Sequence, residues 1–65
     1  MTVADTVMSA IRGGTAAQRV LHEIGTGHAP PDALFTALKA ELELGDDDRT
    51  RAFCRQIAKV LERQG

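Results

Sequence analysis

Residues 10–18 read AIRGGTAAQ, with paired glycines between two apolar stripes. How those glycines are read decides how many helices the chain forms. Upstream, Val3, Val7, Met8, Ala10 and Ile11 share one side of a helical wheel, with Asp5, Ser9 and Arg12 opposite. Downstream, Ala17, Val20, Leu21 and Ile24 form a second stripe. At 3.6 residues per turn the two stripes point roughly 120° apart, so one straight helix could not bury both against one neighbour. Glycine commonly ends helices, and Thr15 with Gln18 has the T-x-x-Q spacing of a capping box that opens one. The expectation is a break or strong bend at Gly13-Gly14. A first helix would run over about 3–12 with Thr2 as N-cap, and a second over about 16–24, ended by Gly25.

The loop GTGHAPP follows at 25–31. Pro30 and Pro31 lack amide donors, which a first helical turn tolerates, so a third helix is expected over about 30–44 with Gly45 after its end. A fourth is expected over about 47–63. Alanine, leucine, glutamate, glutamine and arginine recur throughout, and no stretch alternates with period two for long enough to suggest a strand. The expected fold is all-α: a single compact domain over 1–65, built as a small bundle of four short helices.

The stretch ELELGDDDRTR at 41–51 reverses its charge within eleven residues. A calcium loop would need oxygen ligands at positions 1, 3 and 5, glycine at 6 and glutamate at 12. Counted from Asp46, position 6 is Arg51 and position 12 is Ile57; counted from Asp47, positions 3 and 5 are Arg49 and Arg51. Three aspartates at the start of a helix are instead where free amides and the helix dipole favour negative charge. Glu41 and Glu43 lie near the C-terminus of the third helix, where the dipole opposes them.

A 65-residue domain buries only about 60% of its unfolded surface and usually needs a further source of stability. Cys54 is the only cysteine, so no internal disulfide can form. Among the buried neighbours expected for it, Phe53 and Ile57, it reads as a small core hydrophobe. His22 and His28 lie six apart across a glycine turn and do not have metal-ligand spacing; no metal and no cofactor is expected. A lone thiol and no leader or membrane span suggest a cytoplasmic protein.

Two faces stand out as candidates for function. Arg51, Arg55, Lys59 and Arg63 recur every four residues on the fourth helix, opposite its apolar side. From residue 49 onward five basic residues face one acidic residue, whereas 30–48 holds six acidic residues and one basic. This basic face suits an acidic protein surface better than a phosphate backbone, which the acidic segment beside it would repel. On the third helix Ala33, Ala37, Ala40 and Leu44 make a second apolar stripe beside Leu34, Phe35, Leu38 and Leu42. Small residues permit close approach, so this stripe is expected to pack on another helix, either of the same chain or of a second copy in a homodimer, with Leu44 partly buried.

Catalytic signals are weak. Ser9 lacks a nucleophile-elbow context, and GGTAAQ lacks the lysine and hydroxyl of a phosphate-binding loop. A helix-turn-helix would place Pro-Pro-Asp at the start of its recognition helix, which is poor chemistry for a DNA groove. The expectation is a non-catalytic protein–protein interaction module: a regulator, inhibitor or adaptor. The alternative is a small nucleic-acid-binding regulator that uses the same basic face.

Overall fold

The computed structural model describes residues 3–64 and is helical in three segments: α1 (Val3–Gly25), α2 (Ala33–Leu44) and α3 (Asp47–Gln64). The all-α expectation holds; the expectation of four helices does not. Thr2, proposed as an N-cap, lies outside the described residues. α1 runs unbroken through Gly13-Gly14, and the capping box at Thr15 and Gln18 falls inside it.

The reason lies in how closely α3 approaches. Gly13 is buried, and a Cβ built on it would overlap the Arg49 carbonyl oxygen and stand 3.1 Å from the Phe53 amide nitrogen. Gly13 therefore marks the point where the two helix backbones meet. Ser9, Gly13 and Ala17, four apart, line this contact: Ser9 is half-buried and the other two buried. Gly14, one residue on, has open space where its Cβ would be. The two stripes do diverge as the wheel requires, but no break in the helix resolves the conflict. α1 buries its small-residue face, and Val3, Val7, Met8 and Ile11 are left exposed.

α1 ends at Gly25, as expected. Gly27, with φ of 82°, takes the left-handed position of a Schellman turn. The His28 amide donates to Glu23 O at 2.9 Å and the Gly27 amide to Ile24 O at 3.2 Å. Pro30 and Pro31 precede α2 instead of opening it: their carbonyls accept from the Ala33 and Leu34 amides. Gly45, with φ of 71°, terminates α2 as expected.

Phe53 and Ala17 are completely buried and Val20 nearly so. Ala16, Ile24, Ala33, Leu34, Ala37, Leu38 and Ile57 pack partly against them. The molecule measures 38 × 24 × 14 Å, and α1, at about 34 Å, is nearly as long as its greatest extent. The interior is small for the chain, and much of the apolar side-chain surface stays in water.

Candidate functional site

The 41–51 stretch forms the junction between α2 and α3. Asp46 caps α3: its Oδ1 accepts the Arg49 amide at 3.1 Å. Its Oδ2 accepts the Ser9 hydroxyl of α1 at 2.7 Å. These bonds, the one from Ser9 foremost, hold the Asp46 carboxyl below its ordinary pKa. The capping role expected for the aspartates is thus carried by Asp46, and Ser9 is committed to holding α1 against the cap.

Glu41 was expected to sit awkwardly at the end of its helix. It is buried, and Arg49 Nε donates to its Oε2 at 2.7 Å. The Thr50 hydroxyl bonds the Glu41 carbonyl at 3.3 Å, a second tie across the turn. Glu41 Oε1 is buried without a hydrogen-bond partner. The position could have been suspected from the wheel, since Glu41 falls between the Leu34 and Ala37 stripes. Nothing local pairs it with Arg49, eight residues away.

Asp46 supplies a pH prediction. A carboxyl held below its ordinary pKa in the fold stabilises it above that ordinary value, and the contribution is lost as pH falls through the lowered folded pKa. Asp46→Ala is expected to lower the melting temperature at neutral pH and to flatten the acid limb of stability against pH. Thermal melts of both proteins from neutral pH down to pH ~2 check this; parallel acid limbs would show that Asp46 is not the group responsible.

Arg51, Arg55, Lys59 and Arg63 are all exposed along α3. Over twelve residues they span about 18 Å of helix. None of them is in an ion pair among the described residues, where Arg49–Glu41 is the single pair. Arg51 and Arg55 share a shallow cleft of about 180 Å³ with Asp48, Ala52 and, from α1, Thr6 and Ala10. The basic residue nearest the turn, Arg49, is used internally; the four beyond it face water.

No family model, curated protein or solved structure matches this chain. Its site is therefore read from its own geometry.

The alanine stripe of α2 divides. Ala33 and Ala37 pack against the core of the same chain. Ala40 is exposed on the rim of the cleft between α1 and α2, and Leu44 is 60% exposed, contrary to the expectation that it would be partly buried. Cys54 is exposed, not in the core, because it is rotated about 100° round α3 from the buried Phe53. It lines an open apolar groove of about 420 Å³ between α2 and α3 with Leu34, Phe35, Leu38 and Ile57. His28 Nδ1 meets the Thr26 hydroxyl at 2.7 Å in the loop after α1. Among the described residues no three acidic, histidine or cysteine side chains gather as metal ligands, and no helix is long and apolar enough to cross a membrane.

Proposed function

We propose that this chain is a small non-catalytic protein–protein interaction module, acting as a regulator, inhibitor or adaptor, whose α3 basic face docks on an acidic partner. The observation that carries this reading is the row Arg51, Arg55, Lys59 and Arg63, exposed and without ion pairs among the described residues. Such a row raises the rate of encounter with an acidic surface and sets its register, adding specificity more than affinity. The negative residues nearby are partly consumed, since Glu41 and Asp46 are held inside the fold.

A nucleic-acid reading has one observation in its favour: Arg12, Thr15, Arg19 and Arg49 line a second cleft, between α1 and α3. Arg49 is already bonded to Glu41 there, which weakens it as a phosphate ligand.

The test reverses Arg55 and Lys59 to Glu together. Both are exposed, so stability should change by no more than about 0.5 kcal/mol. Association with an acidic protein partner isolated by affinity capture should slow about tenfold at low salt and lose most of its salt dependence. Tight binding of duplex DNA or RNA at physiological salt, abolished in the same variant, would replace the protein partner with a nucleic acid.

A further inference from the structure

Among the described residues, two uncovered apolar surfaces differ in shape. The first is a ridge: Val3, Val7 and Ile11 follow one another every four residues along α1, and are 82%, 50% and 56% exposed. They lie roughly 120° round the helix from Ser9, Gly13 and Ala17, which face α3. No rotation of α1 about its axis could turn both rows towards α3. The second is the groove between α2 and α3, lined by Leu34, Phe35, Leu38, Cys54 and Ile57 together with Asp32, with Phe35 76% exposed.

The exposed area indicates what covers them. A compact folded chain of 7.0 kDa exposes about 4,000 Å², whereas this one exposes 4896 Å². The excess is close to the roughly 800 Å² that each partner contributes to a standard stable interface. Among the described residues the buried apolar side chains are Ala17, Val20 and Phe53, so the chain gains from further burial of its own surface. A second copy is present wherever the first is, and it carries both a ridge and a groove.

We propose that the chain forms a two-fold dimer in which the Val3–Val7–Ile11 ridge of each copy lies in the Leu34–Phe35–Leu38–Ile57 groove of the other. The exchange is reciprocal, so the interface closes on itself and makes two equivalent helix-in-groove contacts. It uses neither the α3 basic row nor the alanine stripe of α2, and so stands or falls apart from the function proposed above.

Sedimentation equilibrium on the full chain tests it with Val7→Asp, which spoils the ridge, and Phe35→Asp, which spoils the groove. Both residues are exposed, so the helical circular dichroism should persist. Wild type should sediment at twice the chain mass, and each variant alone at the mass of one chain or with at least tenfold weaker association. Mixed together, the two variants should regain heterodimers, because the intact ridge of one fits the intact groove of the other. The Cys54 thiol should react more slowly with a thiol reagent as wild-type concentration rises, and at constant rate in Phe35→Asp. Wild type that stays at one chain mass, a dimer indifferent to either variant, or a mixture that fails to complement would each overturn the proposal.

Discussion

Gly13→Ala is expected to destabilise the protein by about 2–3 kcal/mol, while Gly14→Ala raises its stability by up to about 1 kcal/mol. Both glycines lie within α1, and neither has positive φ, so neither is needed for a turn. In each case alanine should gain the same helix propensity. The difference is what the new methyl meets. At Gly14 it meets nothing within 4 Å. At Gly13 it meets the Arg49 carbonyl and the Phe53 amide, which are backbone and cannot rotate aside. α1 and α3 would have to separate, and Phe53 and Ala17, the fully buried pair at that contact, would lose their packing. Stability for a chain of 65 residues is about 3–10 kcal/mol, so the loss is a large part of the whole. Urea denaturation of the two single variants checks the claim. Equal gains at both positions would mean that the helices do not meet at Gly13.

Arg49→Met should cost about 3 kcal/mol, because it leaves the buried Glu41 carboxylate without its counter-charge. The low end of the usual range is chosen because the Arg49 side chain keeps 28% of its exposure and water reaches part of the pair. Glu41 is already short of partners, since its Oε1 accepts no bond. Removing the arginine would leave both carboxylate oxygens unpaired inside the fold. The companion variant Glu41→Leu/Arg49→Met should return to within about 1 kcal/mol of wild type, because an apolar pair of similar size carries no desolvation cost. The Thr50 hydroxyl bonds the Glu41 backbone carbonyl, so that tie survives the substitution. Chemical denaturation of the three proteins gives the comparison. A single Arg49→Met variant as stable as wild type would show that water solvates Glu41 well enough without it.

Those two positions also separate what the chain's own pattern reveals from what it hides. The all-helical class, α2 and α3 to within a few residues, the stop at Gly45 and the acidic cap at the start of α3 follow from local chemistry. Periodicity, a left-handed glycine and free amides at a helix start act within a few residues of one another and can be read from the sequence. The exposed basic row of α3 is legible for the same reason: its spacing places it opposite Phe53, Ile57 and Val60 on one helix.

The continuity of α1 is not legible in that way. A glycine pair between diverging stripes fits a break as well as it fits a contact, and the choice depends on whether another backbone comes close. That backbone belongs to residues 49–53, more than thirty positions downstream. The spacing Ser9, Gly13, Ala17 is the one sequence signal that favours contact. By itself it cannot outweigh the roughly 1 kcal/mol per glycine that an isolated helix loses there. Burial of Glu41 and exposure of Cys54, Leu44 and the Val3–Ile11 ridge have the same origin. The sequence by itself determined which residues each helix turns to the same side. Only the tertiary structure decided which of those sides is covered, because backbone approach at Gly13 sets the rotation of α1 and thereby leaves its most apolar row in water.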